Sequence, residues 1–201
     1  MVESALYHAS LLEKFDFDDI VLSMKASNVK LMSDAYKTAS NRTNYPLHLG
    51  VTEAGTERMG LIKSAAGIGG LLLCDIGDTI RVSLTDDPTL EIKAAKDILK
   101  AVGLRNTGAN IVCCPTCGRT KIDLISLAKR VENALESYNG KPITVAVMGC
   151  VVNGPGEAKE ADFGVAGGDG CGVIFKKGEI IRKVDENKLF DELMKEIENF
   201  N

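Results

Sequence analysis

Histidine is scarce in this chain: His8 and His48 are the only two among 201 residues, and both lie in the first half. A second Cys-x-x-Cys pair is also missing. A tetrahedral zinc site normally draws on such a pair or on two histidines, so a zinc ribbon is short of ligands here. Long apolar runs are absent as well. The longest, around Leu71-Leu-Leu-Cys74, falls far short of the ~20 residues that cross a bilayer. Met1-Val-Glu-Ser-Ala shows no basic region followed by an apolar core, so no secretory signal is expected. There is no basic excess either. With 24 Lys and Arg against 28 Asp and Glu the net charge is −4, which weighs against nucleic acid as the main partner. What remains is a soluble α/β-sized protein of the reducing cytoplasm, large enough to bury a sizeable core. Its six cysteines are expected to bind metal or pack in the core rather than pair with one another. Cys74 and Cys171 are read as core thiols.

What is present begins with alternating strand and helix signals. Asp19-Ile-Val-Leu-Ser-Met24 reads as a short strand, and Ser27 is placed to cap the helix after it, where Val29, Met32, Ala35, Tyr36 and Ala39 share a face. Pro46-Leu-His-Leu-Gly-Val51 is the next strand, followed by a helix from about Thr56 with Met59, Ile62 and Ala66 inward. Thr79-Ile-Arg-Val-Ser83 is the third, leading to a helix capped by Asp87, begun by Pro88 and stopped by Gly103. Successive strand–helix units imply parallel strands with right-handed crossovers. Lys25, Glu53 and Arg81 fall at the strand ends with a spacing of 28 residues in both steps. That period suits a (β/α)8 barrel, whose functional groups gather at the C-terminal ends of its strands. With Ser83 beside them, these residues read as a mouth for an anionic, oxygen-rich ligand, while His48, mid-strand between two leucines, reads as a structural histidine. Three units cannot close a barrel that takes eight. The chain is therefore expected to be the C-terminal part of a longer enzyme.

From about Arg105 the pattern changes. Asn110–Cys113 reads as a strand, Ile122–Leu135 as a helix, and Thr144–Met148 as a buried strand ending just before Cys150. Asn153-Gly-Pro-Gly156 reads as a chain reversal. Phe163–Ala166, Val173–Phe175 and Ile180–Val184 are further strands, the last two joined by a turn at Lys176-Lys-Gly-Glu179. Asp185 is placed to cap a final helix carrying Leu189, Phe190, Leu193, Met194 and Ile197. The expected organisation is residues 1–105 as the C-terminal part of a TIM-barrel substrate domain, followed by residues 106–201 as a small α/β iron–sulfur domain.

The chemistry centres on Cys114-Pro-Thr-Cys117 and Cys150. Two thiolates on one turn and a third at a strand end make three soft ligands. A fourth thiol is available from Cys113, Cys74 or Cys171, although Cys113 would point away from Cys114 along an extended strand. Glu157, seven positions past Cys150, offers a carboxylate instead. An oxygen donor holds a cluster iron less firmly than thiolate, which suits chemistry at the metal rather than electron transfer alone. The rival readings are a zinc-stabilised non-enzymatic module and a four-cysteine electron carrier.

At these residues the chain closely resembles the 4-hydroxy-3-methylbut-2-enyl diphosphate synthase family, iron–sulfur enzymes of non-mevalonate isoprenoid biosynthesis. Cys114-Pro-Thr-Cys117 and Met148-Gly-Cys-Val-Val-Asn-Gly-Pro-Gly-Glu157 carry the resemblance, together with Met24-Lys-Ala-Ser27, His48-Leu-Gly-Val-Thr-Glu-Ala-Gly55 and Ile80-Arg-Val-Ser83. It implies a [4Fe-4S] cluster on Cys114, Cys117, Cys150 and Glu157, and a substrate pocket lined by Lys25, Glu53, Arg81 and Ser83. The implied reaction opens the ring of 2-C-methyl-D-erythritol 2,4-cyclodiphosphate and removes a hydroxyl, with electrons from flavodoxin or ferredoxin. A homodimer is implied, with neither nucleic acid nor membrane as partner. Relative to the family pattern, roughly the first five strand–helix units are missing.

Overall fold

In the computed structural model, which describes residues 1–200, the chain divides into two compact units, Met1–Arg105 and Asn106–Asn201. The first runs α1 (Val2–Glu13), α2 (Val29–Ser40), β1 (His48–Leu49), α3 (Glu57–Ser64), a π-turn over Ala65–Gly69, α4 (Gly70–Leu72), β2 (Thr79–Ile80) and α5 (Pro88–Ala101). β1 and β2 are parallel, with His48 opposite Thr79 and Leu49 opposite Ile80. The chain before β1 joins them only by parallel bridges at Leu22–Leu47 and Ala26–Val51. No closed barrel forms among the described residues; β1, β2 and the two bridges share one apolar core with the helices.

The strand expected over 19–24 is reduced to these bridges for a local reason. The Met24 N–H donates to the Tyr36 hydroxyl at 2.9 Å, and that hydroxyl donates in turn to the His48 carbonyl. A buried phenol thus stands where a direct ladder bond would run. Burial also pushes the Tyr36 pKa up, against the pull of its contact with Met24. Tyr36→Phe removes the acceptor for Met24 N–H, whereas the His48 carbonyl keeps the Ser23 hydroxyl at 3.2 Å. One buried amide left without a partner costs about 1–3 kcal/mol. We expect a urea midpoint lowered accordingly, and an unchanged midpoint would show that the ladder closes without the hydroxyl.

The helices follow their apolar patterns with one exception. α2 buries Met32, Ala35, Tyr36 and Ala39, and its cap is Asn28, whose side chain accepts from Leu31 N at 2.9 Å, rather than Ser27. α5 is capped by Asp87, starts at Pro88 and is followed by Gly103 at φ +77°, as its punctuation predicts. α3 turns a different face inward from the one expected. Met59 is 47 % and Ile62 53 % exposed, and Ala66 is exposed as well, while Gly60, Ser64, Gly67 and Ile68 are buried. The reason is close packing by small residues. A Cβ on Gly60 would lie 2.5 Å from Leu84 Cδ2, and one on Gly67 would lie 2.8 Å from Met32 Cε. A larger residue at either site would push against Leu84 or against Met32 of α2. Cys74, expected in the core, is exposed just beyond α4.

The second unit contains β3 (Ala109–Cys113), α6 (Leu124–Leu135), β4 (Ile143–Met148), α7 (Gly154–Glu157), β5 (Phe163–Gly167), β6 (Cys171–Lys176), β7 (Glu179–Asp185), a 3-10 turn at Glu186–Lys188, and α8 (Leu189–Glu198). Its sheet has the order β3-β4-β5-β6-β7, parallel through β5 and antiparallel beyond. α6 and α8 cover one face through Leu127, Val131, Leu193 and Ile197. Ala158 and Ala161 cover the other against Ala146, Met148, Ala166 and Phe175. Asp123 caps α6, accepting from Ser126 N at 3.1 Å. Asp185 heads the 3-10 turn instead of capping α8, and its carboxylate pairs with Lys188 at 3.1 Å. The Asn153–Gly156 reversal is a one-turn helix rather than a bare turn, because Pro155 sits in its first turn and Glu157 N closes on Asn153 O at 2.8 Å. Among the described residues no helix is long and apolar enough to cross a membrane.

Candidate functional site

In the first unit, alternation along the strands sorts the side chains onto two faces. Leu22, Met24, Leu47, Leu49, Val51 and Val82 are buried in the core beneath the helices. The intervening Ser23, Lys25, His48, Thr79, Arg81 and Ser83 are left exposed or half-buried. Gly50 leaves room for the Lys25 stem: its Cβ position lies 2.9 Å from Lys25 Cε and 3.1 Å from the Arg81 backbone carbonyl oxygen. Lys25 therefore lies across β1 toward β2. Its pKa is lowered, first by burial and then by repulsion from Arg81. Neither cation is ion-paired among the described residues. Two cations without ion pairs on one face are chemically suited to an anion, Arg as a fork and Lys as a point charge. Glu53 follows β1 on an exposed, left-handed backbone position at φ +51°.

In the second unit, β3, β4 and β5 are parallel, so the loops after β3 and β4 emerge at one end of the sheet. That end carries Cys114, Cys117 and Cys150, in keeping with the placement of sites at strand C-termini. The two loops are pinned together at Gly149. Its N–H donates to Cys114 Sγ at 3.1 Å, and its carbonyl accepts from Lys121 N at 3.0 Å. Thr120 completes the pin, since its hydroxyl oxygen accepts from Cys117 N at 3.2 Å. Cys114 and Cys150 are half-buried, and Cys117 is exposed. The Cys117 pKa is lowered, chiefly by the Arg119 backbone N–H, which favours the thiolate that a metal requires.

The donors are not drawn into a single shell. Among the described residues no three Cys, His, Asp or Glu side chains stand close enough to hold a metal ion. Glu157 is exposed at the end of α7, its Oε1 accepting from the Asn153 amide at 3.2 Å. Cys113 is exposed as a residue, yet its sulfur is shielded enough to raise its pKa, with Cys114 and Glu132 adding to the effect. The donor chemistry nevertheless fits an iron–sulfur cluster: three thiols on two joined loops, two of them already accepting backbone N–H bonds, and a carboxylate seven positions past Cys150. Sequence reasoning missed Thr120 and Gly149, which hold the loops, and Thr79, whose hydroxyl lies 2.8 Å from His48 Nδ1. The small residue before Cys150 was the one local signal of a tight contact.

Part of a parallel strand–helix barrel joined to a cysteine-bearing α/β unit is the class of protein that these features define. Residues 1–96 match the GcpE TIM-barrel domain, and residues 110–199 match the GcpE protein C-terminal domain. The chain belongs to the GcpE family. It is 61 % identical over 197 residues to 4-hydroxy-3-methylbut-2-en-1-yl diphosphate synthase (flavodoxin) of Fusobacterium nucleatum, covering 98 % of this chain and 55 % of that protein. Identity to the synthase of the same name from Clostridium acetobutylicum is 62 % over 199 residues, 99 % of this chain and 57 % of the relative. The Clostridium perfringens protein, again of that name, is 64 % identical over 198 residues, 98 % of this chain and 56 % of its own length. The chain thus spans little more than half the length of these relatives.

Proposed function

We propose that this chain is the C-terminal portion of an enzyme that reductively opens 2-C-methyl-D-erythritol 2,4-cyclodiphosphate and removes a hydroxyl to give 4-hydroxy-3-methylbut-2-enyl diphosphate. The observation that supports it most is the identity to synthases of that name along nearly the whole chain. In this reading residues 1–105 belong to the substrate barrel and residues 106–201 to the cluster domain. Lys25 and Arg81 bind diphosphate oxygens, Ser83 adds a hydroxyl donor beside them, and Glu53 moves a proton as hydroxide leaves. Cys114, Cys117, Cys150 and Glu157 hold a [4Fe-4S] cluster. When bound, such a cluster supplies electrons and a Lewis-acidic iron. Gly149 and Thr120 orient the thiols, and Glu157 is the hard, weakly held member of the set.

The electron donor is flavodoxin or ferredoxin, and the site of action is the reducing cytoplasm, where six thiols stay unpaired. We also propose a homodimer in which the cluster domain of one subunit serves the barrel of the other. Anaerobic reconstitution of this chain with iron and sulfide tests the cluster: a brown protein with iron and sulfide near four each per chain is expected for a [4Fe-4S] centre. A colourless protein carrying stoichiometric zinc would overturn the reading. In the full-length enzyme, a mixed dimer of Glu53→Gln and Cys150→Ser subunits is expected to retain activity, and complete inactivity would rule out sites shared across subunits.

A further inference from the structure

The polar face of the first unit holds a histidine that the proposed roles leave unused. His48 is half-buried on β1, and its backbone is fixed from two sides, the carbonyl accepting from the Tyr36 and Ser23 hydroxyls. Its ring is fixed as well, with Nδ1 2.8 Å from Thr79 Oγ1 on the paired residue of β2. Nε2 has no hydrogen-bond partner among the described residues. Buried polar groups are as a rule hydrogen-bonded, whereas the ring of His48 reaches the exposed face, where an open nitrogen can meet a ligand. This one is tethered by one nitrogen and open at the other. Its electrostatic neighbours are Lys25, beside β1, and Arg81, just past β2; behind burial, these two cations hold its pKa below the ordinary value.

We propose that His48 is a third contact to the anionic ligand, a neutral imidazole donating its Nε2–H to an oxygen held by Lys25 and Arg81 while the Thr79 hydroxyl donates to Nδ1. This rests on reading the Lys25–Arg81 face as an anion-binding mouth. The physical logic is economy of charge. A third full cation in that place would repel the other two in the empty protein, while a neutral N–H adds a directed bond without that cost. Thr79 suits the task because a hydroxyl both donates and accepts, so it can follow the ring as the proton moves to Nε2. An arriving anion offsets the field of Lys25 and Arg81, and the His48 pKa is therefore expected to rise on binding.

The probe is inorganic diphosphate, titrated into the chain and read by calorimetry and by histidine ring nitrogen NMR. With only two histidines, His8→Gln assigns the spectrum. At saturating diphosphate, His48 is expected to be neutral with its proton on Nε2, and its pKa to rise while that of His8 stays fixed. His48→Gln places an amide N–H near the Nε2 position and is expected to keep affinity within about threefold. His48→Asn reaches only the Nδ1 position and is expected to lose roughly tenfold or more, the worth of one hydrogen bond to a charged group. Equal losses in Gln and Asn, no loss in Asn, or a proton that stays on Nδ1 would each overturn the proposal. Lys25→Ala separates the two levels. If it abolishes binding while the His48 variants do not differ from the parent, the mouth stands and the histidine contact falls. If the parent chain does not bind diphosphate at all, both fall together.

Discussion

Gly149→Ala is expected to leave the second unit folded and to lower its iron and sulfide incorporation severely, by more than half at equal protein. The added Cβ would lie 2.9 Å from Thr120 Oγ1, 3.1 Å from Thr120 Cγ2 and 3.2 Å from Leu124 Cδ2. Thr120 is the nearer neighbour and the one able to give, since Leu124 is buried at the start of α6. Displacing Thr120 withdraws the acceptor from Cys117 N and loosens the loop that also leans on Gly149 through Lys121. The two thiols of the first loop then lose their fixed relation to Cys150. A supporting residue lost around a metal site typically costs 10–100-fold in metal affinity. Gly156→Ala is the control, because its Cβ meets nothing within 4 Å. Circular dichroism should show both variants folded, and iron and sulfide analysis after anaerobic reconstitution should separate them. Equal loading of the two would mean that the Gly149 contact does not organise the thiols.

What was legible in the sequence was local, and what was not depended on partners far along the chain. Asp87, Pro88 and Gly103 bracket α5 because capping and backbone freedom act within a few residues. The Lys177-Gly178 hairpin, both residues at positive φ, is legible for the same reason. The 28-residue recurrence of Lys25, Glu53 and Arg81 exposed the polar face, since a repeated unit returns each residue to the same place on its strand. The inward face of α3 was hidden because glycines and Ser64 make it, and hydrophobic periodicity gives no weight to residues chosen for being small. The Ser64 hydroxyl is even left without a partner there among the described residues. Tyr36 in the ladder, Thr79 on His48 and Gly149 on Cys114 are contacts across 12, 31 and 35 residues. No pattern within a single element reports them. That Cys114, Cys117 and Cys150 share one end of the sheet followed from the strand pattern, but the Gly149 contact that joins their loops did not.

Glu157→Cys in the full-length enzyme is expected to keep the cluster and to suppress turnover by on the order of 100-fold or more. Glu157 is exposed at the end of a four-residue helix. The base of that helix is tightly seated: a Cβ on Gly154 would lie 2.7 Å from Met148 Cβ and 2.9 Å from Ala166 Cβ. The anchored end fixes where residue 157 can reach, and at the exposed end its carboxylate is held by the Asn153 amide at 3.2 Å. Substitution by cysteine therefore changes the donor atom more than its position, although it shortens the reach. Thiolate holds iron more firmly than carboxylate does, so the site gains a ligand that resists exchange. If turnover requires this position to open for a substrate oxygen, the loss of several kcal/mol of Lewis-acid stabilisation appears in the rate, at 1.36 kcal/mol per factor of ten. Iron and sulfide content and the visible spectrum should match those of the parent, while steady-state reduction with flavodoxin should fall. A variant that loads its cluster and turns over at the parent rate would show that residue 157 need only be a ligand, and that the substrate never takes its place.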